Sequence, residues 1–457
     1  MIDRRHALAG IAAASGAAAL SHSAQASDGK QAASSPLTLD APMIGPRMNR
    51  AQAIKVMDQL GLDALILGSG INVYHATGYW PLTDRMGHAP STLAIVTRSD
   101  EQPLSVVLSS FTYYYQLADV HRTQDYPAYT YTGPTGQIDD NGEPVAAPVM
   151  VFRERKEVPL DAVESHRASL AYAAEQDVGA WAGAKYAMAK ALKDVGLLNG
   201  KIAIDHPNVR ALVEEAAPNA SLTNADTALR RIRPIKSDIE IALMRQASLA
   251  NTEATLAAVQ TVRAGATYRE LRSTFYAEAA RRENRGVFLV IDRVSSDLYD
   301  APFENGQAFL IDAVSEYQGY HGDYGRTVFI GEPAKAMKDA TDAMGQAWSE
   351  VQHQLKPGML FSEIMTLGRS MLKKMGVNYT VSFTPHSVGL YHTDHVGMAG
   401  AAAFREDPVL EKGMIISVDC PLLEAGVGGS AHLEDLTLIT EDGAEPIHDI
   451  GNQTILV

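Results

Sequence analysis

Between Leu310 and Val328 the chain reads Leu-Ile-Asp-Ala-Val-Ser-Glu-Tyr-Gln-Gly-Tyr-His-Gly-Asp-Tyr-Gly-Arg-Thr-Val, with Asp312 and Asp323 eleven residues apart. Leu310-Ile311 and Val328-Phe329-Ile330 predict apolar strand segments, and Gly319 and Gly322 predict the turn between them. Asp312 is expected at the end of the first strand and Asp323 on the approach to the second. An antiparallel pair whose turn absorbs part of that odd offset brings both carboxylates to one face. Like charges held that close repel, and a cation between them removes the penalty. Two solvated loop acids satisfy the same spacing, so the reading depends on what else the chain supplies.

It supplies further candidates in the same half. Pro385–His395 offers His386, His392, Asp394 and His395 around Gly389. Gly413–Pro421 puts Asp419 at the end of an apolar strand, and Ser430–Leu438 puts His432 and Glu434 on one face of another. Acids that interrupt hydrophobic strands are costly unless paired or metal-bound. Four such acids and a histidine point to one site, although a salt bridge or capped turn accounts for any one of them alone. His321 and Asp394 are expected at the surface or behind the ligands. Cys420, the single cysteine, is expected as a packed small residue, with no internal disulfide available.

A chain of 457 residues exceeds one ordinary core and predicts two domains. A helix from Met48 to about Leu60, strands near 61–68, 91–97, 104–108 and 201–205, and helices at about 164–194 predict an α/β N-terminal domain over 42–229. Thr130–Val149 lacks periodicity and is expected as a long loop. Arg230–Asp238 marks the boundary, with Ser237 or Asp238 available as a helix cap. Beyond it, residues 230–457 predict an α+β domain with a curved antiparallel sheet and helices outside it.

Residues 1–26 combine Arg4-Arg5, a short apolar run and Ala24-Gln25-Ala26, which predicts a signal peptide of the twin-arginine type and a periplasmic or secreted product. Residues 27–41 are expected as a flexible linker. The apolar run is too short for a membrane span, so none is expected in the mature chain. A net charge of −15 argues against a nucleic-acid partner.

The linked motifs resemble the pita-bread metallopeptidases: methionine aminopeptidase, Xaa-Pro aminopeptidase, prolidase and creatinase. Asp312 and Asp323, with Arg326-Thr327 trailing, match the family's first two ligands; His386 matches its H-x-x-G histidine; and Glu434, before Asp435, matches its final Glu. Asn72–Tyr79 and Ile235–Ile241 look like the creatinase/prolidase N-terminal domain and junction. The resemblance implies a divalent-metal centre of two ions (Mn, Zn, Co or Fe) held by Asp312, Asp323, His386, Asp419 and Glu434. It also implies a homodimer. Three departures accompany it. Asp419-Cys420-Pro421 stands where Glu-Pro is usual, His432 stands where prolyl-specific members often carry Arg, and Val294–Pro302 lacks the histidine expected there.

The first reading is therefore a two-metal hydrolase, an Xaa-Pro aminopeptidase or dipeptidase acting on short peptides. Asp419 or Glu434 would accept the proton of the attacking water, and His392 or His395 would stabilise charge on the carbonyl oxygen. The second is a non-peptidase enzyme of the same fold acting on a small molecule, like dimethylsulfoniopropionate lyase or creatinase. The third is a binding protein with a degenerate site.

Overall fold

The computed structural model describes residues 45–88, 90–120, 126–131, 157–166, 168–169, 180–394, 407–448, 451 and 453–457. The expected signal peptide, the expected linker, most of the expected loop after Thr130, and His395 lie outside the described residues.

The N-terminal module is a mixed sheet between two helical layers. Its strands are Ala64–Leu67 (β1), Thr92–Thr97 (β2), Leu104–Ser109 (β3), Ala128–Tyr131 (β4), Ala180–Trp181 (β5), Lys201–Ile204 (β6) and Ser221–Asn224 (β7), in the order β5-β4-β3-β2-β1-β6-β7. β1 is apolar at every position because both of its faces are covered. Leu65 and Leu67 pack with Ala53, Val56 and Met57 of helix Arg50–Leu60 on one side. Ala64 and Ile66 pack with Met188, Leu192, Val209 and Val213 on the other. One expectation is corrected here. The stretch read as helical from 164 to 194 is broken by β5, and the helix at its end is Ala184–Asp194. Pairing with β4 outweighs the helical propensity of the surrounding alanines.

Ser237, rather than Asp238, caps the first long helix of the C-terminal module, Asp238–Val259, in a reciprocal capping box with Glu240. Thr267 and Glu270 repeat the device for helix Tyr268–Arg281. The remaining strands are Arg285–Ile291 (β8), Ala308–Tyr317 (β9), Tyr320–Phe329 (β10), Thr384–Ser387 (β11), Ile415–Asp419 (β12), Glu434–Asp435 (β13), Thr437–Ile439 (β14), Ala444–Pro446 (β15) and Thr454–Leu456 (β16). They form two sheets among the described residues, where one was expected. One runs β13-β10-β9-β8, with β16 parallel to β10; the other runs β11-β12-β14-β15. Phe275 and Ala254, from the first two helices, pack on Phe309, Ile311 and Val328 of the first sheet. Trp348, Ile364 and Leu372, from helices Lys335–Gln354 and Phe361–Lys374, pack with Ile416 and Val418 of the second.

The central hairpin is longer than the apolar runs suggested. Its turn is Gln318-Gly319, both at positive φ (48° and 83°), so Asp312 and Asp323 lie well inside their strands. Gly322, expected in the turn, sits within β10, where helix Asp238–Val259 passes too close for a side chain.

Buried polar contacts join the two modules. Glu240, only 1% exposed, accepts from the Tyr320 hydroxyl at 3.2 Å and lies 3.1 Å from His75 Nε2 of helix Gly70–Thr77. Its other oxygen accepts from the Ser237 amide. One carboxylate thus completes the helix cap and ties the N-terminal module to the central hairpin.

Candidate metal centre

Register explains why the two aspartates meet. Asp312 pairs with Gly325, and Asp323 pairs with Val314. The partner of Asp312 is therefore two residues from Asp323, and residues two apart on a strand share a face. Gly325 also pairs with Glu434 of β13, which adds that carboxylate to the same face. On the second sheet, His386 pairs with Ser417, two residues before Asp419. The same alternation thus puts His386 and Asp419 on one face.

The two groups converge. His386 Nε2 lies 3.3 Å from Glu434 Oε1, 3.4 Å from Asp419 Oδ2 and 3.6 Å from Asp323 Oδ2. Its Nδ1 lies 3.2 Å from the His392 carbonyl, which assigns the ring proton to Nδ1 and leaves Nε2 free to ligate. Ser417 Oγ donates to Glu434 Oε1 at 2.7 Å. Glu434 is aimed from behind, because the adjacent Asp435 pairs with buried Arg326 at 2.7 Å and accepts from Trp348 Nε1 at 3.1 Å.

The donor set suits a divalent cation. Asp312 Oδ1 and both oxygens of Asp323 are buried without a hydrogen bond among the described residues. Such groups are costly unless something charged compensates them. Three overlapping sets have ligand atoms within 4.8 Å of one another: Asp323, His386 and His392; Asp312, His432 and Glu434; His386, Asp419 and Glu434. Carboxylate oxygens with imidazole nitrogens are the donors that manganese, iron, cobalt and zinc accept.

Electrostatics carries the same signature. Burial, then the neighbouring Glu434 and Asp323 charges, push Asp312 well above the usual carboxylate range. Burial and Glu434 do the same to Asp323. Burial opposes charge on Glu434 too, but hydrogen bonds from His386 and His432 outweigh it and hold Glu434 well below that range. Burial likewise opposes charge on His432, yet the contact with Glu434 and the charges of Asp419 and Asp312 raise it to about 9. Burial and the His386 charge hold His392 below the ordinary imidazole range. Crowded carboxylates with divergent proton affinities are a pattern that functional sites share.

All five residues expected as ligands are brought together, and His392 joins them, 3.1 Å from Asp323 Oδ2. Exposure divides the cluster. Asp323, Glu434 and His386 side chains are 0%, 1% and 7% exposed, whereas His392 and Asp419 are 31% and 32% exposed and form the open rim. His321 and Asp394 are buried rather than superficial. The His321 amide donates to the Gly389 carbonyl at 3.0 Å, and Asp394 pairs with Arg233. Cys420 is fully buried, and burial pushes its thiol well above the usual range. The residue whose place the sequence did not reveal is His432, whose Nε2 sits 2.9 Å from Glu434 Oε2 inside the cluster. Its shared face with Glu434 was a visible signal. The space its ring occupies was not.

Residues 242–441 match metallopeptidase family M24. The chain is 25% identical over 247 residues to the Xaa-Pro dipeptidase of Pyrococcus horikoshii, covering 51% of this chain and 68% of that one. It is 27% identical over 244 residues to the probable dipeptidase PepE of Mycobacterium tuberculosis, covering 51% and 63%. The fold is similar to the prolidase structure from Pyrococcus horikoshii (TM-score 0.59, 18% identity, 89% of this chain and 99% of that one). It is equally similar to an Xaa-Pro dipeptidase structure from Bacillus anthracis (TM-score 0.61, 18% identity, 90% and 100%).

Proposed function

We propose, from the match of residues 242–441 to metallopeptidase family M24, that this chain hydrolyses short peptides with proline after the scissile bond, using two divalent cations. The observation that carries the reading is the convergence of Asp312, Asp323 and Glu434 with His386 and Asp419, including buried carboxylate oxygens that have no hydrogen bond among the described residues.

Cations bound there would polarise the substrate carbonyl and bring a bound water's pKa to ~7. The chain's own residues supply the rest. Asp323, Glu434 and His386 form the closed floor, with His386 oriented through Nδ1 and Glu434 through Ser417. Asp419, at the open rim, accepts the proton of the attacking water; Glu434 is enclosed by two imidazoles and a hydroxyl and has less room to do so. His392, also at the rim, reaches the carbonyl oxygen as charge develops on it. The ring of Phe288 holds the His392 imidazole edge to face, with centroids 5.2 Å apart.

The arginine pair, apolar run and Ala-x-Ala of residues 1–26 support export, and the mature chain is inferred to work as a homodimer. Among the described residues no helix is long and apolar enough to cross a membrane.

The test is metal analysis of the purified chain followed by hydrolysis of Xaa-Pro dipeptides and tripeptides with added manganese, cobalt or zinc. Bound metal with turnover is the expected result. The absence of histidine in Val294–Pro302 favours a second reading, a small-molecule enzyme on the same metal centre. Bound metal without peptide turnover would select it.

A further inference from the structure

We propose that His432 is itself a metal ligand, so that each of two ions has its own imidazole. This rests on the metallopeptidase reading above and assigns a ligand beyond the five residues already named.

Two carboxylates straddle two histidines. Glu434 presents Oε1 to His386 at 3.3 Å and Oε2 to His432 at 2.9 Å. Asp419 presents Oδ2 to His386 at 3.4 Å and Oδ1 to His432 at 3.6 Å. Each carboxylate thus offers one oxygen to each ring, and the rings mark opposite ends of a bridged pair. Asp312, His432 and Glu434 each offer a ligand atom to one of the sets close enough to share an ion.

The ring's place is built into the sheet. A Cβ on Gly325 would lie 2.3 Å from His432 Cδ2 and 2.6 Å from Nε2, so only glycine admits the imidazole there. His432 is 3% exposed, and its Nδ1 has no hydrogen bond among the described residues, so its polar contacts run through Nε2 alone. A simple ion pair with Glu434 would account for Nε2 but would leave Asp312 Oδ1 buried and unsatisfied. A cation at this end satisfies all three atoms together.

Asp419 supplies the chemical reason. Its carboxylate is one methylene shorter than a glutamate's, about 1.5 Å of reach. An ion bridged by the shorter group lacks a donor, and His432 provides one. The added imidazole shifts the preference of this end from manganese toward cobalt and zinc.

The experiment loads the full-length chain with cadmium after isotopic labelling of its histidine ring nitrogens. Cadmium NMR should show two resonances, each coupled to an imidazole nitrogen. A second ion with no imidazole coupling overturns the proposal while leaving the metallopeptidase reading intact, and a single bound ion overturns the proposal together with the two-ion form of that reading. No bound ion overturns both. His432→Gln should lose the second ion or weaken it by roughly tenfold or more, with unchanged circular dichroism. Unchanged affinity for both ions in that variant also overturns the proposal. The coupling pattern of the unmutated chain decides the matter even if the variant fails to fold.

Discussion

Arg233 Nε lies 2.6 Å from Asp394 Oδ1, and the two side chains are 4% and 1% exposed. The pair spans the molecule's two modules. Arg233 lies within the junction and also donates to Asn72 of helix Gly70–Thr77 at 2.9 Å. Asp394 lies two residues beyond His392, and its amide donates to the carbonyl of Ser387 at the end of β11 at 2.8 Å.

Removing one partner leaves a buried charge without its closest counter-ion, so Arg233→Met should destabilise the protein by about 3 kcal/mol. Urea denaturation measures this. Replacing both residues with apolar groups should recover a substantial part of the loss, and a double variant as unstable as the single one would contradict the charge argument.

Metal binding should release protons. In the metal-free protein Asp312 and Asp323 retain protons above the usual carboxylate range, chiefly because they are buried beside Glu434. Metal must displace those protons, so affinity rises with pH from the ordinary carboxylate range up to the raised values. The metal-free fold behaves oppositely over that window. It binds more protons at these two sites than the unfolded chain, so their contribution to stability falls as pH rises. Glu434, held low, contributes stability above its ordinary value that is lost on acidification. Calorimetric titration in buffers of different ionisation enthalpy detects the released protons. Proton-neutral binding would show that the aspartates are already ionised.

Gly325→Ala places a methyl group against His432 and within 2.8 Å of Glu434 Cβ. The overpacking should cost about 1–3 kcal/mol. Metal content should fall more sharply than stability, because the displaced residues belong to the cluster. Thermal melting and metal analysis of the same sample separate the two effects.

Trp348→Phe removes the hydrogen bond to Asp435, the acid that holds β13 against Arg326. Loss of a hydrogen bond to a charged group should cost about 1.5–3 kcal/mol. Steady-state kinetics should show reduced kcat as well, because Glu434 is the preceding residue on that strand.

Cys420 should resist alkylation in the native protein and react fully in urea. It is buried, and its thiolate is disfavoured by burial and by the Asp419 charge. Mass spectrometry after iodoacetamide treatment reads this directly. Rapid native labelling would require an opening of β12 beside the cluster.

Much of the site was legible locally. Apolar residues around Asp312, Asp323, Asp419 and Glu434 identify strands interrupted by acids, and alternation places His432 with Glu434. Helix caps were equally local, since Ser237 and Glu240 lie three residues apart and need only each other. The lengths of β9 and β10 were less visible. They carry Ser315, His321 and Asp323, which are polar in sequence yet buried, Ser315 against Asn251 of helix Asp238–Val259 and Asp323 against His386 of the second sheet.

The sequence by itself determined the donor types, their strand positions and the face each occupies, because backbone geometry alternates side chains with period two. Tertiary structure alone decided that the candidate ligands come from two sheets, that His392 meets Asp323, and that Gly325 opens the space filled by His432. Those contacts join residues tens to a hundred positions apart. They depend on strand order and on which helices cover each sheet, and no local pattern in the chain encodes either.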